Sequence, residues 1–148
     1  MKKVYNSVRL VMKSFEEINL NDYCAIIQDN SKTVIDFDKT YCDFKKVMAS
    51  NNYYAICLKS TTLAIGLLYV KETKKGYVEV GYLMNANYQD CGYASEALYE
   101  VCNELEQNGE KYIIGNIKEK SVKPFKLLGN INFIGIHDFH KVVAYCKD

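Results

Sequence analysis

The residues best suited to chemistry form one hexapeptide, Gln89-Asp90-Cys91-Gly92-Tyr93-Ala94, set between an apolar run that ends at Met84 and the start of a long amphipathic pattern. A strand-to-helix turn of this kind gathers the N–H groups that a helix leaves outside its own ladder, with the helix dipole behind them. Anions bind at such a point, pyrophosphate among them. Gly92 lets the backbone approach a ligand closely, and Ala94 is small where helix and sheet must meet. Ser95 adds a hydroxyl that can donate or accept. Taken alone, the same residues equally describe a glycine that only permits a tight turn. Glu79 is the second candidate, the only carboxylate inside the strand that leads to this loop. It suits a general base, and it equally suits a solvated strand face or an ion pair with Lys71 or Lys74 across a hairpin.

Other reactive side chains carry less. His137 and His140 resemble a metal pair, but they sit in a hairpin without a third ligand, so no metal is expected. Cys91 lies where a helix N-terminus lowers a thiol pKa, yet no partnered base accompanies it. Lys118, Lys120 and Lys123 read as a solvated face, or as a contact for a phosphate.

The elements that must position the loop follow from periodicity. Ala94, Ala97, Leu98, Val101, Cys102 and Leu105 form one buried helical stripe, with Gly109 as its C-cap. Before it, Tyr53–Leu58, Leu63–Val70 and Val78–Met84 are apolar runs joined by short turns, which implies an antiparallel meander. Tyr112–Ile117 is a further strand, so strand, helix and strand make one parallel crossover. Val8–Phe15 reads as a first strand. Asn21 and Asp22 offer caps for a short helix, and Asp36 opens a second helix whose face carries Phe37, Tyr41, Phe44, Val47 and Met48. Pro124 suits the first turn of a short helix over about Val122–Ile131. Phe133–Asp138 and Val142–Cys146 close the chain as a hairpin around His140 and Lys141.

Composition bounds the function classes. The 148 residues are 49% hydrophobic and 25% charged, as in an ordinary globular chain, and are read as one domain over 1–148. A net charge of +1 gives no field toward nucleic acid or a membrane surface, and neither is expected as a partner. Arg9 is the only arginine. Bidentate phosphate recognition favours arginine, so backbone N–H groups and lysines are expected to hold any phosphate here. Six cysteines, Cys24, Cys42, Cys57, Cys91, Cys102 and Cys146, contain no C-x-x-C pair, which reads as a reduced, cytoplasmic chain. Met1 to Val11 carries charge without a long apolar run, so no signal peptide is expected, and with no run of about 18 apolar residues no membrane span is expected.

The stretch from Val78 to Leu105 resembles the acetyl-CoA-binding motif of the GNAT superfamily, Q/R-x-x-G-x-G/A, with Gln89, Gly92 and Ala94 at the fixed positions. Its flanks, E-V-G-Y-L and Y-A-S-E-A-L, are similar to the branch that contains the ribosomal-protein N-acetyltransferases. The resemblance implies a mixed α/β (α+β) fold, with a central, mostly antiparallel sheet and helices on both faces. It implies an N-acetyltransferase that moves an acetyl group from acetyl-CoA to a primary amine by direct attack. Backbone groups near Tyr82, Leu83 and Met84 would pair with the pantetheine arm, and an N–H near Leu83 would polarise the thioester carbonyl. The amides of Gln89, Asp90, Cys91, Gly92, Tyr93, Ala94 and Ser95 would hold the pyrophosphate, and Glu79 would be the base. Ser121 stands at the family's upstream Asn and is carried over as cofactor-binding. The chain departs from the family at Asn132, where Gly is usual before Phe, at Pro124, and at Leu128, where many members place a proton-donating Tyr. The acceptor stays open between a small-molecule amine and a protein N-terminal amine, as does oligomeric state. The alternatives are a CoA-binding module that has lost catalysis, or a phosphate- or nucleotide-binding domain of another class.

Overall fold

The computed structural model describes residues 4–31, 37–74, 77–89, 91–109, 111–114, 133–138 and 141–146. Its strands are β1 (Tyr5–Asn6), β2 (Leu10–Lys13), β3 (Tyr53–Leu58), β4 (Ala64–Lys74), β5 (Tyr77–Met84), β6 (Lys111–Ile114), β7 (Phe133–Asp138) and β8 (Lys141–Cys146). Its helices are α1 (Leu20–Ser31), α2 (Phe37–Ala49) and α3 (Tyr93–Gln107). The strands form one sheet in the order β1-β2-β3-β4-β5-β6-β8-β7. Every neighbouring pair is antiparallel except β5 and β6, which the α3 crossover makes parallel.

Strand alternation sends side chains to opposite faces, and each face has its own helical cover. Tyr54, Ile56, Val78, Val80, Tyr82 and Met84 pack against the α3 stripe of Ala94, Ala97, Leu98, Val101, Cys102 and Leu105. Ala55, Cys57, Leu67 and Leu83 turn the other way, onto Tyr23 and Ile26 of α1 and Phe44 and Val47 of α2. Phe15, Tyr23 and Phe44 meet there ring to ring, with centroids 5.1 to 5.9 Å apart, in the tilted and edge-on geometries that aromatic quadrupoles favour. The mixed sheet with helices on both faces is therefore the architecture observed.

Three local readings are corrected. The strand expected over Val8–Phe15 is β2, Leu10–Lys13, and Val8 stands 89% exposed in a turn. The Ser7 N–H donates to the Leu10 carbonyl at 2.9 Å, and the Leu10 N–H donates back to Ser7 Oγ at 3.2 Å. That turn adds the short strand β1, which the apolar pattern hid. Asn21 and Asp22 do not cap α1, which begins at Leu20 after a 3₁₀ turn over Glu17–Asn19. Asp22 instead accepts the Ala64 N–H at 3.1 Å and Asn19 Nδ2 at 3.3 Å, tying α1 to the start of β4. Finally, β4 runs to Lys74, beyond the expected Val70. The Tyr53–Leu58 and Phe133–Asp138 strands match their predicted bounds. The predicted helix over 122–131, residues 115–117 of the predicted fifth strand, and His140 lie outside the described residues.

Candidate active site

The loop after β5 is built in three short steps. Asn85, almost fully buried, donates its N–H to the Ile65 carbonyl at 2.8 Å, and its Oδ1 accepts the Asn87 N–H at 2.9 Å. That capping starts a 3₁₀ turn over Ala86–Tyr88. Gln89 then folds back, its Nε2 donating to the Met84 carbonyl at 3.4 Å. Gly92 follows at φ +83, in the left-handed region that favours glycine. The Gly92 carbonyl accepts the Glu96 N–H at 3.0 Å, the first bond of α3. The N–H groups of Gly92, Tyr93 and Ala94 thus lie at the helix end, outside its own ladder and at the positive pole of its dipole. Cys91 and Gly92 are exposed, Tyr93 and Ser95 half-buried, and Ala94 buried under the helix. Asp90 and Ser121 lie outside the described residues, as do Lys118, Lys120, Lys123, Pro124, Leu128 and Asn132.

The register of β5 decides which backbone groups can meet a ligand. In an antiparallel ladder, every second residue spends both its N–H and C=O on one neighbour. The Asn85 bond to Ile65 fixes the phase, so Leu83 opposite Leu67, Gly81 opposite Tyr69 and Glu79 opposite Lys71 spend theirs on β4. Val78, Val80, Tyr82 and Met84 face the β6 side. The last described pair with β6 is Val80 with Ile114, and β5 continues four residues past it. The Tyr82 N–H is therefore the first donor on that edge beyond the described pairs, and the Leu83 N–H points to β4. The Tyr82 hydroxyl is buried without a hydrogen-bond partner among the described residues, and burial raises its pKa far above that of an ordinary phenol.

Glu79 is half-buried on the face shared with Leu83, the α1 and α2 side. Tyr69 lies diagonally from it in the ladder, and the Tyr69 phenol is pushed up by burial first and by the Glu79 carboxylate second. Further along this face a cavity of about 460 Å³ opens between α1, α2 and the sheet. Leu67 and Leu83 form its floor, and Tyr23, Tyr53, Asp43 and Lys46 its walls. Burial, with Asp43 nearby as a smaller cause, pushes Tyr23 up to about 12. The donor edge, Glu79 and this cavity therefore converge on one strand, β5.

One residue at the loop escaped the sequence reading. Arg9, in the turn between β1 and β2, reaches Cys91 and the first turn of α3. Its Nε donates to Glu96 Oε1 at 2.7 Å, and its backbone N–H to Glu96 Oε2 at 2.9 Å. Ser7 Oγ donates to the same Oε2 at 2.5 Å. The guanidinium lies 4.3 Å from the Tyr93 ring centroid, within cation–π range. Only the family of side-chain contacts across more than 80 residues reveals this cluster, and no local spacing signals it.

Partial burial alone would raise the Glu96 carboxyl, but the bonds from Ser7 and from the backbone and guanidinium of Arg9 outweigh it and hold its pKa below the ordinary value of 4.5. A carboxyl with a depressed native pKa contributes stability above its unfolded pKa, and that contribution is lost as pH falls through the native value. Thermal midpoints of Glu96→Gln and the parent chain should therefore differ most near neutrality and begin to converge only as pH falls below 4.5 toward the lower native value. A gap that stays constant down to strongly acidic pH would mean the carboxylate charge contributes nothing.

Among the described residues, no group of three or more His, Cys, Asp or Glu could hold a metal ion, and no helix is long and apolar enough to cross a membrane. The family model described as an acetyltransferase (GNAT) domain matches residues 9–134. No curated protein matches the chain. Among solved structures, a GNAT-family acetyltransferase from Bacillus anthracis superposes with a TM-score of 0.75 at 17% identity, covering 97% of this chain and 96% of that one. An acetyltransferase from Agrobacterium tumefaciens gives 0.71 at 14% identity, covering 100% and 96%. A Salmonella typhimurium acetyl transferase that modifies the N-terminal serine of a 50S ribosomal subunit protein gives 0.68 at 12% identity, covering 97% of each.

Proposed function

Because the chain belongs to the GNAT acetyltransferase domain family, we propose that it transfers the acetyl group of acetyl-CoA to a primary amine by direct attack. The observation that carries this reading is the loop at Gly92, whose φ of +83 brings a helix N-terminus and its amides to the end of β5. The Gln89 N–H is spent on the Ala86 carbonyl at 3.4 Å, and the amides after it, through Ser95, suit a pyrophosphate. The β6 side of β5 at Tyr82 suits the amide-bearing pantetheine arm, which would pair with the strand there. The Tyr82 N–H then takes the carbonyl-polarising role that the sequence placed near Leu83, because the register turns the Leu83 N–H onto β4. Such a donor acts where charge develops on the thioester oxygen.

The acceptor amine enters from the cavity above Leu83 and attacks the thioester carbon; the C–S bond breaks, and CoA leaves as a thiolate that takes a proton from water. It must be neutral to do so, and Glu79 takes its proton through water. Holding both reactants against one strand supplies much of the rate. The acceptor is an amine on a small molecule or at a protein N-terminus, the second being what the Salmonella protein modifies. The same reading places the protein in the cytoplasm, with acetyl-CoA as cosubstrate.

Thermal unfolding in the presence of acetyl-CoA, CoA, ATP and NAD tests the reading. A ligand at about 100 times its Kd stabilises the folded chain by about 2.7 kcal/mol. For a domain of this size that raises the midpoint by roughly 5–10 °C. Acetyl-CoA and CoA should do so, and ATP and NAD should not. The reverse preference, or no response to millimolar CoA, would remove the proposal. Binding without thiol release over a broad amine panel would leave a CoA-binding module.

A further inference from the structure

We infer that Arg9 is the positioning residue of the phosphate loop, holding the Cys91–Gly92 peptide from its carbonyl side so that the Gly92 N–H faces the pyrophosphate. The inference rests on the reading of Gln89 to Ser95 as the cofactor loop. Arg9 Nη1 and Nη2 donate to the Cys91 carbonyl at 3.4 and 3.5 Å. The Cys91–Gly92 peptide is trans, and in a planar trans peptide the C=O and N–H point in opposite directions. A cation on the carbonyl side therefore leaves the Gly92 N–H directed away from Arg9. Arg9 acts on the anion through this peptide and does not stand in front of it.

The guanidinium can hold that position because every other contact on it is spent on orientation. Nε is fixed by Glu96, Cζ lies over the Tyr93 ring, and Ser7 with the Arg9 backbone N–H fixes Glu96 in turn. Glu96 and Tyr93 both belong to the first turn of α3, so loop and helix end are held as one unit. A charged donor on the carbonyl also polarises the peptide and strengthens its N–H as a donor. Lysine cannot replace this arrangement. One ammonium cannot reach Glu96 and the Cys91 carbonyl with a rigid fork, nor lie flat on a ring. Glycine at 92 is compatible with the contact, since a Cβ there would lie 3.5 Å from Nη2, at ordinary contact distance.

The test uses the full chain with Arg9→Lys and Arg9→Gln, with CoA affinity measured by calorimetry at several salt concentrations. Turnover is followed with acetyl-CoA and with acetyl-pantetheine, which lacks the phosphates. Both variants should bind CoA about tenfold more weakly, the scale of one lost charge-assisted hydrogen bond. They should use acetyl-pantetheine as well as the parent does, which also shows that they are folded. Salt dependence of the CoA Kd should be the same in Arg9→Gln as in the parent, because the guanidinium does not face phosphate. Equal losses with both acyl donors, unchanged CoA affinity, or a reduced salt slope would each overturn the inference. A parent chain that binds no CoA would instead overturn the proposed function beneath it.

Discussion

If Glu79 is the base proposed above, Glu79→Gln should lower kcat by about 100-fold or more, the usual contribution of a positioned general base, while the KM for acetyl-CoA should stay within about twofold. The split follows from position. Glu79 faces the α1 and α2 side of β5, whereas the proposed cofactor contacts lie on the β6 side and beyond Met84. Four residues separate Glu79 from Leu83 on one face, which at about 3.3 Å per residue is roughly 13 Å between Cα atoms. The side chain shortens that gap without closing it, so the proton moves through water. The deficit should also depend on pH. Without the base, only amine that is already neutral in solution reacts, so the variant rate climbs with pH and approaches the parent rate near the amine's own pKa. Steady-state rates from pH 6 to 10 with one amine settle the matter. Equal kcat in both chains, with a lower melting midpoint for the variant, would make Glu79 a strand partner of Lys71 and nothing more.

How far this site was legible in the sequence differs by the range of each interaction. The α3 stripe was readable because 3.6-residue spacing and burial report the same fact, and Ala97, Leu98, Val101 and Cys102 are all fully buried. Gly92 was readable because a turn into a helix needs the left-handed region at one position. The face of Glu79 follows from strand alternation, although nothing in the sequence says that Tyr69 and a cavity share that face. Asp22 shows the limit. Its position suggests a helix cap, yet its carboxylate serves the Ala64 N–H, 42 residues away. Arg9 and Glu96 are 87 residues apart, and their pairing depends on a turn at Ser7 that apolar flanks conceal. The phase of β5 was also hidden. It takes a single bond, Asn85 to Ile65, to assign the Tyr82 rather than the Leu83 backbone to the β6 side.

Gly66→Ala should destabilise the chain, since forcing a methyl group into filled space costs about 1–3 kcal/mol before any offset, and should weaken CoA binding as well. Gly66 sits in β4 opposite Met84. A Cβ there would lie 2.5 Å from Met84 Sδ, 2.8 Å from the Leu83 carbonyl oxygen and 3.3 Å from Ile56 Cδ1. The methionine can swing aside at small cost, being unbranched and flexible. The Leu83 carbonyl cannot, because it belongs to the β5 backbone. Strand β5 must therefore move at the residues that lead into the phosphate loop. Replacing glycine also reduces the freedom of the unfolded chain, which opposes the loss by about 0.4–1 kcal/mol and leaves destabilisation the winner. Urea midpoints read the stability term, and CoA titration at a temperature where both chains are folded reads the displacement of the edge. Gly109→Ala is the matched control. A Cβ at Gly109 meets nothing within 4 Å, so its cost comes from a φ of +78 alone and CoA affinity should not change. If Gly66→Ala lowered stability but left CoA affinity intact, the strand would be absorbing the methyl group without moving its outer edge. The cofactor would then depend on the loop at Gly92 more than on β5.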